Sequence, residues 1–127
     1  LLLNLLLKGL FHRGRPVFES PLLTLDSFSF PSGHAMGATL FYGFAAVYIS
    51  RLLTRWRWRA LDFISAFFVI LLIGLTRIYL GVHYLSDVMG AIAAGIMWLA
   101  VCMTAVDTLR RRRHMVRKER IPKGTYR

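Results

Sequence analysis

Three groups of residues in this chain carry the side chains that phosphoryl transfer needs, and they come in a fixed order. Lys8 is followed, after six residues, by Arg15 and Pro16. Pro31, Ser32, Gly33 and His34 are contiguous. Thr76 and Arg77 are followed, after five residues, by His83 and, after three more, by Asp87. Lys8, Arg15 and Arg77 can neutralise phosphate oxygens, and two histidines can attack phosphorus or move a proton near neutral pH. Asp87, four residues past His83, is within reach to accept a hydrogen bond from it and fix its tautomer. Ser32 and Gly33 open an apolar run, so they read as a helix start, where unpaired backbone N–H groups bind anions. The inventory suits phosphoryl transfer through a phosphohistidine.

Each group also has an ordinary reading. Taken singly, Lys8 and Arg15 would be interfacial cations, and His34 a structural contact in the first turn of a helix. Asp87 would be a helix cap and His83 an interfacial histidine. Arg77 is harder to dismiss, because it borders a membrane-like stretch and needs a partner there. The ordered set, more than any member, favours chemistry.

These residues must be positioned by apolar segments. The chain has 127 residues, 56% of them hydrophobic, with a mean hydropathy of +0.51. Val88–Val106 is uncharged and long enough to cross a hydrocarbon layer of about 30 Å. Gly33–Ser50 carries only His34 as an ionisable group, which makes it a second candidate span. Asp62 to Arg77 encloses a shorter apolar stretch that spans only if its two charged ends sit near opposite interfaces. Leu1–Leu7 reads as the tail of a further helix. The expected architecture is an all-α, integral-membrane helical bundle: a core over 1–107 with spans near 33–53, 61–80 and 88–107, and a basic tail over 108–127. Val17–Phe30 lacks helical periodicity and reads as a surface loop. Ser32 is the expected N-cap of one helix, and Ser86 or Asp87 that of a helix starting at Val88. Gly33 and Gly37 have a spacing that permits close helix packing.

Net charge is +11, yet its distribution argues against nucleic acid. If the helices alternate in direction, one side of the membrane holds Lys8, Arg13, Arg15 and Arg77, and the other holds the remaining thirteen Lys and Arg. The positive-inside rule then puts Arg51–Arg59 and the tail in the cytoplasm and the three motifs on the opposite face. Arg110–Arg113 and the cations after them read as a juxtamembrane anchor for anionic lipid. The single cysteine, Cys102, excludes an internal disulfide and reads as a buried, inert thiol. No His, Cys, Asp or Glu cluster has metal-ligand spacing, so neither a metal nor another cofactor is expected. His12 and Arg13, in the spacer of the first motif, are basic and could touch a second phosphate, but read as solvated loop residues, as does His114 in the tail.

The three motifs resemble those of the type 2 phosphatidic acid phosphatase family, written K-x6-R-P, P-S-G-H and S-R-x5-H-x3-D. This chain matches at full spacing from Lys8 onward, with Thr76 where the family usually has Ser. The family includes bacterial lipid phosphatases, undecaprenyl-diphosphatases and, more distantly, soluble vanadium haloperoxidases. Its membrane members usually have six helices, so the resemblance implies that the first helices are missing from this chain. It further implies that His83 is the nucleophile oriented by Asp87 and that His34 is the general acid. Lys8, Arg15, Ser32, Gly33 and Arg77 would be the phosphate ligands. The implied reaction is hydrolysis of a prenyl or glycerolipid phosphate or diphosphate at the outer face of a bacterial plasma membrane. Transfer to a lipid or sugar acceptor, or an inactive truncated membrane fragment, are the alternatives. Oligomeric state is not legible.

Overall fold

A computed structural model describes residues 2–16 and 27–119, without the side chains of residues 114 and 116–119. Most of the expected Val17–Phe30 loop and the end of the basic tail lie outside the described residues. The described chain forms four helices and no strand: α1 (Leu2–Phe11), α2 (Gly33–Leu52), α3 (Trp56–Tyr79) and α4 (Leu85–Glu119). Three of these, α2, α3 and α4 as far as Arg113, are long and apolar enough to cross a membrane.

Local chemistry sets the ends. Ser32 caps α2, its hydroxyl accepting the N–H of Ala35 at 3.5 Å. At the end of α3, Gly81 takes a left-handed backbone with φ of 68°. Its N–H donates to the carbonyl of Ile78 at 2.9 Å, and the N–H of Val82 to that of Arg77 at 3.3 Å. That pair of bonds is a Schellman cap, and glycine fits it because a Cβ disfavours the left-handed region. α4 begins at Leu85, three residues before the expected start, so Asp87 lies inside its first turn. From there α4 runs through Arg110–Arg113 without a break.

α2 is the central helix and packs against both α3 and α4, which barely touch each other. Close approach comes from glycines other than the expected pair. A Cβ on Gly95 would lie 2.9 Å from Thr39 Cγ2, and one on Gly43 2.9 Å from Leu99 Cδ2. A Cβ on Gly37 would meet nothing within 4 Å, so the Gly33–Gly37 spacing does not mark this interface. Small residues let backbones approach where no hydrophobic force drives apolar helices together.

Only 6% of the most apolar window of α3 is buried within the protein, and Phe67 and Phe68 are each 60% exposed. Such surface is untenable in water and ordinary in hydrocarbon. The 61–80 stretch is therefore not the buried helix of a soluble protein. Its helix gains length by starting at Trp56, five residues earlier. Cys102, expected to be buried, is exposed on α4, on a face that the described residues leave uncovered. The protein is an integral membrane protein. Its compact core, Ala35, Met36, Val88 and Ala91, lies at the end of the bundle that carries the motifs.

Candidate active site

α1, the start of α2 and the turn between α3 and α4 converge at this end of the bundle. The N–H of Ser32 donates to the carbonyl of Asp87 at 3.2 Å, tying the second motif to the third. Arg15 ties the first to the third and to the segment leading into the second. Its Nη1 donates to the carbonyl of Val82 at 2.8 Å, and its Nε to that of Ser27 at 2.7 Å. Lys8 donates from Nζ to the carbonyl of Phe28 at 2.8 Å and to Ser27 Oγ at 3.2 Å. His12 ends α1 with φ of 43°, turning the chain so that Arg13 and Arg15 follow into the site.

Lys8, Arg15, Gly33, His34 and His83 all line one cavity of about 690 Å³. Its mouth is cationic, and Met36, Leu40, Phe41 and Phe44 continue its wall along α2. The spacing of those four keeps them on one helical face. The capping of α2 uses the N–H of Ala35, and the N–H of Ser32 goes to Asp87. The amides of Gly33 and His34, at the positive end of the helix, are left for an anion.

His83 is only 5% exposed and Asp87 is fully buried. Asp87 Oδ2 accepts the N–H of Tyr84 at 2.9 Å, so the residue does cap its own helix. It also faces the imidazole, with Oδ2 3.6 Å from His83 Nδ1. The two readings of Asp87 that the sequence left open are thus compatible. Burial, together with the nearby Arg15 and Lys8 cations, holds the His83 pKa below its usual 6.5, while Asp87 and Ser29 pull it upward. The balance leaves a neutral ring at neutral pH, the form with a free nitrogen lone pair.

Two residues that sequence reasoning did not assign to the site are built into it. Ser29 is fully buried, donates its hydroxyl proton to Asp87 Oδ2, and has Oγ 3.4 Å from His83 Nδ1. Arg13, expected to be solvated, donates from Nη1 to Asp87 Oδ1 at 2.8 Å and to Ser86 Oγ at 2.7 Å. Its guanidinium lies 4.4 Å over the ring of Tyr84. A buried carboxylate needs such partners, and Arg13 supplies a charged one. His12, by contrast, is exposed and meets Phe28 edge-on at 4.6 Å.

Arg77 stands apart. It does not line the cavity, and its described side-chain bond is Nε to Thr76 Oγ1 at 3.3 Å. The Thr76 hydroxyl donates in turn to the carbonyl of Ile73 at 2.7 Å. Among the described residues, no three His, Cys, Asp or Glu side chains gather as a metal-binding group would.

The sequence pattern of the PAP2 superfamily matches residues 1–111. Phosphatidylglycerophosphatase B of Bacillus subtilis (strain 168) is 39% identical over 97 residues, which are 76% of this chain and 47% of that protein. A crystal structure of a transmembrane PAP2-type phosphatidylglycerolphosphate phosphatase from Bacillus subtilis superposes with a TM-score of 0.75 at 35% identity. That match covers 84% of this chain and 53% of the other. The chain therefore spans about half the length of these relatives.

Proposed function

The chain belongs to the PAP2 superfamily, and from that premise we propose that it carries the catalytic residues of a membrane lipid phosphatase working through a phosphohistidine. The observation that carries this reading is His83. Its Nδ1 edge is taken up by Ser29 and Asp87, and the ring borders a cavity shared with Lys8, Arg15 and His34. The nitrogen left for the cavity is Nε2.

In the first step the Nε2 lone pair attacks phosphorus. An N–P bond forms as the ester P–O bond breaks, and His34 gives its proton to the leaving oxygen. In the second, water attacks the phosphorus, its proton passes to His34, and the N–P bond breaks to release phosphate. Lys8, Arg15 and the amides of Gly33 and His34 stabilise charge on the phosphoryl oxygens, with Arg77, outside the cavity wall but near His34, as a further phosphate cation. These cations occupy the role that Mg²⁺ has in other phosphoryl-transfer sites, so turnover is expected without a divalent metal.

The apolar wall from Met36 to Phe44 suits a hydrocarbon tail attached to the phosphate. Both matches above are named for a phosphatase of phosphatidylglycerol phosphate, which favours a glycerolipid monophosphate over a prenyl diphosphate as the substrate class. In this reading residues 1–107 form the phosphatase core and residues 108–127 a basic cytoplasmic segment facing anionic lipid. The lysine and arginine asymmetry supports a site on the extracytoplasmic side of the membrane.

The test is phosphate release by the purified protein from lipid mono- and diphosphates in detergent. Release from a glycerolipid monophosphate that survives EDTA and is inhibited by vanadate, a mimic of the five-coordinate transition state, is expected. Activity abolished by EDTA and restored by Mg²⁺ would reject the mechanism. Transfer of the phosphoryl group to an added alcohol in place of water would favour the transferase alternative.

A further inference from the structure

We propose that Ser29 is a positioning residue for the nucleophile: its hydroxyl links the Asp87 carboxylate to His83 Nδ1, and Arg13 holds the linkage closed from the other side. The inference deepens the phosphatase reading and rests on it for its kinetic consequences. It goes beyond the three motifs, because neither Ser29 nor Arg13 belongs to any of them.

Hydrogen-bond accounting carries the argument. A hydroxyl has one proton, and that of Ser29 goes to Asp87 Oδ2, which as a carboxylate can only accept. What Ser29 Oγ then presents to His83 is a lone pair. A lone pair 3.4 Å from Nδ1 favours the tautomer in which Nδ1 carries the hydrogen. The direct route from Nδ1 to Asp87 Oδ2 is longer, at 3.6 Å. The carboxylate therefore acts on the ring through Ser29 as well as across space. When Nε2 becomes phosphorylated, positive charge on the ring strengthens the Nδ1–H donor, and both contacts tighten toward it.

The frame is closed. The Ser29 N–H donates to the Arg13 carbonyl at 2.8 Å, and the Arg13 guanidinium reaches Asp87 Oδ1 at 2.8 Å. Asp87 in turn holds the Ser29 hydroxyl. Three residues from three segments thus fix one another in a ring of bonds. With Tyr84 N–H also on Oδ2, both carboxylate oxygens are partnered and neither can swing. Ser29, Asp87 and the His83 ring are all buried, so water is poorly placed to substitute for any of these bonds.

Two readouts test this. The first needs no turnover: the ring ¹⁵N spectrum of histidine-labelled protein in detergent, with His83 assigned by its loss in His83→Ala. The wild type is expected to show the Nδ1–H tautomer, and Ser29→Ala to lose that preference. An unchanged His83 spectrum in Ser29→Ala overturns the proposal. The second is a double-mutant cycle on lipid-phosphate hydrolysis. Ser29→Ala is expected to lower kcat about 10- to 100-fold with KM within about threefold. In an Asp87→Asn background the same change should cost less than about threefold, since the link has lost its far end. Full additivity overturns the proposal. Ser29→Cys, which nearly keeps the volume but donates weakly, should fall between; a Cys variant as active as wild type would reduce Ser29 to a space-filler. A wild type with no phosphatase activity would reject the proposed function, and the ring spectrum would still decide the role of Ser29.

Discussion

The two ends of the bundle use charge in opposite ways. At the end that carries the motifs, Lys8, Arg13 and Arg15 are directed: each makes at least two hydrogen bonds within 3.2 Å to named partners. Ser29, Ser32, His83 and Asp87 are buried behind these partly exposed cations. At the far end the one described ion pair joins Arg51 to Asp107 at 3.4 Å, with both side chains close to half exposed. Arg55, Arg57 and Arg110–Arg113 are exposed there beside Trp56, itself 76% exposed. The first arrangement sets geometry. The second supplies an excess of positive charge and an aromatic anchor, which need sign and depth but no fixed partner.

That contrast makes the motif end the place where single substitutions act strongly. His34→Ala should cut kcat about 10²- to 10⁴-fold, with phosphate binding largely kept, as measured by kcat and by the inhibition constant of phosphate. Equal losses in both would make His34 a ligand and remove its role as proton donor. Arg13→Gln leaves Asp87 Oδ1 short of its charged partner in a buried site. It should lower stability by about 1–3 kcal/mol in a denaturation series, together with activity. Arg51→Gln, at the far end, should cost less than about 1 kcal/mol and leave turnover unchanged. If the two arginine variants were equally mild, the distinction between the ends would fail.

The pH dependence sharpens the same point. The folded pKa of His83 is lowered, so its nucleophilic form persists as pH falls below 6.5 and is lost only through the lowered value. The acid limb of kcat/KM should therefore lie below 6.5. Asp87→Asn removes an influence that raises this pKa, so the limb of the residual activity should move lower still. An upward movement would mean that the limb reports another group.

Much of the fold was legible because apolar length and charge-free windows report membrane helices directly. The helix ends were less so: Trp56 and Leu85 start their helices earlier than the apolar windows suggested, since polar and interfacial residues extend a helix as readily as apolar ones. Within the site, residues whose chemistry shows in their type and spacing, such as His34, His83 and Asp87, could be picked out before any coordinates. Ser29 could not. A serine in an irregular segment carries no pattern, and its role depends on α4 bringing Asp87 against it across 58 residues. Arg13 was weighed and set aside for the same reason, its partner being 74 residues away. Gly81 did carry a signal, a glycine just past the end of an apolar helix, which the C-cap rule would have found.

The central claim is that His83 is the nucleophile. It is tested most directly by trapping labelled phosphate on the enzyme during turnover of a ³²P-labelled lipid phosphate. Acid-labile, base-stable label on the wild type, absent from His83→Ala and slowed in its formation by His34→Ala, is the predicted result. Label that persists on His83→Ala, or that is stable to acid, would contradict it.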